Sequence, residues 1–362
     1  MQRKFLKQIK RIVVKVGSST IASYQLNLRE ENLDALVKQI CTLEKSGIEV
    51  VLVSSGAIVL GMGALNEKNQ PTDLASLQAT AAIGQTVLMR TYDEIFKKHK
   101  GLCAQVLLTW DDFNDRKRFL NARNTLQAIL ARKVIPVVNE NDTIATDEIK
   151  FGDNDKLSAL VASVVEADLL IILSDVEGLY DLRGEEKKLF EEVREITEEI
   201  ESLARASNKK HMGRGGMAAK LDAVKIAAQA KIPTVITNGA IEDVLLKILK
   251  GDRIGTLFIE RQEKLLARQH WISFGAKPKG VLVVDDGAAK ALLDGNKSLL
   301  LPGIVSFTGN FKKGEIVAVA DMHNQEIARG LIEYSLTELQ NLEDKKGKKE
   351  AIHKDNLVLC KR

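Results

Sequence analysis

Cysteine is scarce in this chain of 362 residues: Cys41, Cys103 and Cys360 are far apart and odd in number. That excludes a disulfide framework and a cysteine-based zinc site, and leaves free thiols as the expectation. The histidines (His99, His211, His270, His323 and His353) form no His-x-x-x-His or similar pair, so any metal should be a hard ion held by oxygen. Aromatic residues make up only 4% of the chain and offer little for stacking single-stranded nucleic acid. No apolar run reaches the ~18 residues needed to span a bilayer. The basic segment from Met1 to Arg11 also lacks the apolar stretch of a signal peptide, so a cytoplasmic protein without membrane contact is expected.

Several catalytic motifs are missing as well. No Gly-Lys-Ser or Gly-Lys-Thr occurs, which removes the P-loop, and Gly61-Met62-Gly63 lacks the third glycine of a dinucleotide fingerprint. There is no Gly-x-Ser-x-Gly elbow, so Ser55 is better placed to hydrogen-bond a substrate than to act as a nucleophile. The net charge of +4, part of it from Lys345, Lys346, Lys348 and Lys349, does not argue for nucleic acid.

What remains is a soluble globular composition, 45% hydrophobic and 28% charged, long enough for two domains. Strand-like runs at 11–16, 50–53, 105–108, 134–138, 169–173 and 234–237 alternate with helical segments at 28–45, 74–98, 116–132, 156–165 and 217–230. This predicts an α/β protein with a mostly parallel open sheet sandwiched by helices. Past 256 the pattern shifts to a basic connection and short β-like pieces at 280–284, 304–307 and 315–320, the mark of a smaller, mainly β domain. The expected division is a catalytic domain over 1–260, a linker over 261–275, the second domain over 276–356 and a tail over 357–362.

Most strand runs pass into small polar residues, which gathers such residues along one sheet edge, where ligands bind in open α/β sheets. Two acid-and-amide clusters stand out there. Asn139-Glu140-Asn141-Asp142 follows a strand, and Gly152-Asp153-Asn154-Asp155 opens a helix. Either alone reads as turns and caps, but together they exceed what capping two elements requires. Lys15 precedes the Gly17-Ser18-Ser19 loop, and Gly213-Arg214-Gly215-Gly216-Met217-Ala218-Ala219-Lys220 leads into a helix. Lysines beside glycine loops suit a phosphate. Two lysines, small-residue loops and two carboxylate clusters fit phosphoryl transfer, which asks for positioning and positive potential rather than a nucleophilic side chain.

These residues resemble a known family. Lys15-Val-Gly-Ser-Ser19, Ser54-Ser-Gly-Ala-Ile58, Arg118-Phe-Leu-Asn-Ala-Arg123, Asn139-Glu-Asn-Asp142, Gly152-Asp-Asn-Asp155 and Gly215-Gly-Met217 occur in the same order as in the glutamate-phosphorylating branch of the amino acid kinase family. Leu301-Pro-Gly-Ile304 and Phe307-Thr-Gly-Asn-Phe311 are similar to a PUA domain. The resemblance implies ATP-dependent phosphorylation of the L-glutamate side-chain carboxylate at the entry to proline biosynthesis, with Mg²⁺ accompanying ATP and no protein-built metal site. It implies Lys15, Lys220 and Asp155 as catalytic, and Ser55, Asp142 and Asn154 as substrate-binding. Lys15, Ser174, Asp175 and the loop Arg214, Gly215, Gly216, Met217, Ala218, Ala219 and Lys220 would bind nucleotide. Arg214 stands where the family often has threonine. Feedback inhibition by proline and assembly into dimers or tetramers belong to the same implication. The alternatives are another amino acid kinase with a different carboxylate substrate, or an RNA-associated protein acting through its PUA domain.

Overall fold

The computed structural model describes residues 3–21, 29–145, 154–181, 183, 187–207, 216–259, 272, 278–295, 297–341 and 350–359. Within them the chain divides into two compact units, Met1–Asp112 with Phe119–Lys264, and Phe113–Arg118 with Leu265–Arg362.

The apolar runs of the first unit become the strands β1 (Arg11–Val16), β2 (Glu49–Ser54), β3 (Cys103–Leu108), β4 (Ile135–Glu140) and β5 (Leu169–Ser174). The short β6 (Tyr180–Asp181) and β7 (Lys188–Leu189) pair with each other, and β8 (Glu192–Val193), β9 (Thr234–Asn238) and β10 (Thr256–Phe258) complete the main sheet. Its order is β3-β4-β2-β1-β5-β9-β10-β8. Every neighbouring pair is parallel except β9 and β10. Strands β1, β2, β4 and β5 are buried almost throughout, as parallel strands must be when helices cover both faces.

The helices are α1 (Ser18–Ile21), α2 (Glu30–Lys45), α3 (Ala57–Leu65), α4 (Leu74–Lys98), α5 (Trp110–Asn114), α6 (Arg116–Leu130), α7 (Asn154–Val164), α8 (Glu198–Ser207), α9 (Met217–Gln229) and α10 (Val244–Lys250). Helix α2 starts on Glu30 and Glu31 and ends on Lys45, the charge order its dipole favours. Asp73 caps α4 by accepting the Ser76 backbone N–H at 2.9 Å. The turn from β2 into α3 passes through Gly56 at φ +97°, a left-handed conformation that glycine adopts freely. Helix α3 was not expected, because glycines at Gly61 and Gly63 weaken its propensity. Tertiary packing overrides that: a Cβ at Gly61 would overlap the Thr80 carbonyl, and one at Gly84 would overlap the Ala57 carbonyl. The α3–α4 pair therefore packs backbone to backbone. Among the described residues no helix is long and apolar enough to cross a membrane.

The second unit carries β11 (Gly280–Val284), α11 (Asp286–Gly295), β12 (Leu299–Leu300), β13 (Ile304–Gly309), β14 (Ile316–Ala320), β15 (Glu326–Leu331), α12 (Leu336–Gln340), β16 (Glu350–Ile352) and β17 (Leu357–Leu359). Strands β13-β11-β14-β15-β17 form its main sheet. The expected tail at 357–362 thus begins with a strand. Leu357, Val358 and Leu359 pair with Gly330, Arg329 and Ala328, because the apolar Leu357 and Val358 can be buried there. Phe311, one of two aromatics in the stretch resembling a PUA domain, is core at 1% exposure, and Phe307 packs against the same cluster.

Candidate active site

The strand ends finish in register along one edge. Val16 of β1 lies opposite Ser54 of β2 and Leu173 of β5, while Ser174 lies opposite Asn238 of β9. Small polar residues therefore meet where the carboxyl ends converge. Gly17 donates its backbone N–H to the Leu173 carbonyl at 3.3 Å, and Gly239 donates to the Ser174 carbonyl at 2.9 Å.

Lys15 stands near the end of the central strand, between Val53 and Ile172. Its Nζ lies 2.5 Å from Asp155 Oδ1, and Lys220 Nζ lies 3.1 Å from Asp155 Oδ2. All three side chains are buried, Asp155 to 1% exposure. Asp155 occupies the first turn of α7, where the helix dipole favours an anion, while Lys220 occupies the first turn of α9, where a cation is disfavoured. The shared carboxylate compensates Lys220 and draws it toward Lys15. Burial works to raise the Asp155 pKa, but the two ammonium groups outweigh it and hold the carboxyl below the usual aspartate range. These three groups taken together carry a formal charge of one positive unit in a poorly solvated place. That is what a transferring phosphoryl group requires.

A second constellation lies beside it. Asn154 Nδ2 sits 3.0 Å from each of three acceptors, the Ser54 carbonyl, Ser55 Oγ and Asn139 Oδ1. Its own Oδ1 is buried and accepts no hydrogen bond among the described residues. Leaving such an acceptor unpaired costs about 1–3 kcal/mol, which a ligand donor would offset. Since Ser55 Oγ accepts from the amide, its hydroxyl proton remains to donate to an anion.

Asp142 lies just past the end of β4, half-buried, with no side-chain hydrogen bond among the described residues. Burial pushes its pKa up to about 6. Ser55 and Asn154 are in direct contact, whereas Asp142 makes no hydrogen bond to either. Ser174 Oγ donates to Asp175 Oδ1 at 3.0 Å at the end of β5. Gly216 is the extended residue before α9, followed by Met217, Ala218 and Ala219 in its first turn. Arg214, Gly215, Asp147, Gly152 and Asp153 lie outside the described residues.

Residues that sequence reasoning missed are Gln85 and Tyr92 of α4. Asn139 Nδ2 donates to Gln85 Oε1 at 2.8 Å, and the Tyr92 hydroxyl lies 2.9 Å from Ser54 Oγ. The available signal was two polar side chains two turns apart on a helix whose neighbouring positions, Leu88 and Phe96, are core.

Fold and site define a phosphoryl-transfer protein built on an open parallel sheet. The chain belongs to the amino acid kinase family, whose model matches residues 10–238, and a PUA domain model matches residues 280–354. It is 46% identical to the protein named Glutamate 5-kinase from Caldanaerobacter subterraneus subsp. tengcongensis, across 97% of this chain and 98% of that one. It is 44% identical to Glutamate 5-kinase of Nitrosospira multiformis, across 98% and 99%. The solved carbamate kinase from Giardia lamblia bound to AMP-PNP superposes with a TM-score of 0.49 at 17% identity, covering 70% of this chain and 99% of that one.

Proposed function

We propose that the protein transfers the γ-phosphoryl group of ATP to the side-chain carboxylate of L-glutamate, giving γ-glutamyl phosphate and ADP as the first step of proline biosynthesis. The observation that carries this reading is Asp155 holding the Lys15 and Lys220 ammonium groups together in a buried site. A carboxylate oxygen attacks the γ-phosphorus, the bond to the β–γ bridging oxygen breaks, and ADP leaves with that electron pair. The attacking carboxylate is already ionised near neutral pH, so no general base is needed. What the reaction needs is stabilisation of charge on the equatorial oxygens, the role of the two lysines.

Glutamate would be held by the unpaired Asn154 Oδ1 and by Asp142 at its ammonium group, and by the Ser55 hydroxyl at a carboxylate. Ser174, Asp175 and residues 214–220 would hold ATP. Among the described residues no three His, Cys, Asp or Glu side chains gather as a metal cage. Mg²⁺ would accompany ATP and offset charge on its phosphates. The same reading includes a catalytic domain ending near residue 260 and a PUA domain over 276–356. It also includes feedback inhibition by proline, assembly into dimers or tetramers, and a cytoplasmic location.

A coupled assay of ADP release with Mg²⁺, comparing glutamate, N-acetylglutamate, aspartate and carbamate, tests the substrate. Glutamate should give the highest kcat/KM, since N-acetylation removes the ammonium charge and aspartate shortens the reach. Equal or faster turnover of another acceptor would reject glutamate as the substrate.

A further inference from the structure

Helix α4 carries its core face into the first unit with Leu88, Tyr92 and Phe96, yet two hydrogen-bonding side chains leave it toward the strand ends. Gln85 and Tyr92 are seven residues apart, two helical turns, and so share a face. Gln85 Oε1 accepts a hydrogen bond from Asn139 Nδ2 at 2.8 Å, and the fully buried Tyr92 hydroxyl pairs with Ser54 Oγ at 2.9 Å. Asn139 is the next-to-last residue of β4, and Ser54 closes its neighbour β2. Both strand ends then meet Asn154, whose Nδ2 is 3.0 Å from Asn139 Oδ1 and from the Ser54 carbonyl.

An amide has a donor end and an acceptor end of nearly equal size, and its surroundings decide which faces a ligand. Acceptors crowd the Nδ2 end of Asn154, and an inverted amide would turn its oxygen against them. The Asn139 amide is held at both ends: its Oδ1 accepts the Glu140 backbone N–H at 2.9 Å and its Nδ2 donates to Gln85 Oε1, which leaves Oδ1 facing Asn154. Helix α4 is also fixed against the chain leaving β2, since a Cβ at Gly84 would overlap the Ala57 carbonyl and the Gly61 nitrogen. The helix therefore cannot shift without moving the segment that carries Ser54 and Ser55.

We infer that Gln85 and Tyr92 are positioning residues for substrate recognition. Acting through Asn139 and Ser54, they hold the Asn154 amide so that Oδ1 is left to accept from the α-ammonium group of the amino-acid substrate. This rests on the reading of Asn154 as a glutamate contact.

The test compares glutamate with glutarate, which has both carboxylates and no ammonium, as the KM for the first and the inhibition constant for the second. In Gln85→Leu the glutamate KM should rise about 10-fold, the scale of one misdirected hydrogen bond. Glutarate inhibition and the KM for ATP should stay unchanged. Gln85→Glu keeps an oxygen for Asn139 and should stay within about 3-fold of wild type, and the near-isosteric Tyr92→Phe should raise the glutamate KM about 3-fold. Asn154→Ala serves as the control for the underlying reading. If it raises the glutamate KM selectively while Gln85→Leu and Tyr92→Phe leave that constant at the wild-type value, the inference is overturned. If Asn154→Ala itself leaves the two constants in their wild-type ratio, Asn154 does not contact the ammonium group, and the inference falls with that reading.

Discussion

Asp142 and Asp155 are both carboxylates drawn out of water at the ligand edge of the sheet, and they end on opposite sides of the ordinary aspartate value of 3.8. Burial alone raises Asp142 to about 6. At Asp155 burial pulls the same way, but Lys15 and Lys220 reverse it. The difference teaches that burial does not set a carboxylate's role; the charges brought to it do. Asp155 already has its cations and serves as a scaffold for them. Asp142 has none among the described residues and is suited to take one from the substrate.

Breaking the scaffold should have the largest effect. Asp155→Asn leaves two buried ammonium groups with a neutral partner, a loss on the scale of about 3–5 kcal/mol for an uncompensated buried charge. Turnover should fall by ~10³-fold or more, because the lysines lose their common anchor, and the unfolding midpoint should drop. A variant with wild-type turnover would show that Asp155 does not organise the lysines.

A smaller and different effect is expected at the other carboxylate. Asp142→Asn should raise the glutamate KM by about 10-fold or more while changing kcat far less, because the contact is made in ground and transition states alike. In the wild type, kcat/KM for glutamate should decline as the pH falls through about 6, where Asp142 takes up a proton. That acid limb should be missing from the Asn variant, and its persistence there would assign it to another group.

The smallest effect is on the pH dependence of stability, with opposite signs at the two sites. Because the folded pKa of Asp142 is raised, the unfolded chain ionises it first, and wild-type stability erodes as the pH climbs from about 4 to about 6. Ligand-free Asp142→Asn should thus melt about 2 °C above wild type at pH 7, a gap that closes toward pH 4. Asp155, with its lowered pKa, contributes stability above the usual aspartate range and loses it only as the pH falls through the depressed value. Thermal scans across pH would expose a wrong sign at either residue.

The parallel sheet was legible because runs such as Ile12-Val13-Val14 and Val50-Val51-Leu52-Val53 are β-branched or leucine and bounded by small polar residues. Helix α4 matched its expected bounds, Leu74 to Lys98, and α6 and α9 ran one or two residues short of theirs. Helix α3 was hidden by the glycines that its packing demands, and β8 and β17 were too short to show a period. In the site, lysines beside glycine loops and paired acid-and-amide clusters suited a phosphate and a ligand, and the structure brings Lys15, Lys220 and Asp155 together. The division of tasks among the residues came from resemblance. The amide relay from Gln85 through Asn139 to Asn154 could not be read at all, since its links span 54 and 15 residues and follow no local pattern.

If Lys15 and Lys220 act as one unit through Asp155, a double-mutant cycle on kcat will show it. Lys15→Ala and Lys220→Ala should each lower kcat by ~10²-fold or more, and the double variant should be little worse than the poorer single one, as for groups that act together. Losses that multiply would contradict the account, showing two lysines that work independently and share a carboxylate only by proximity.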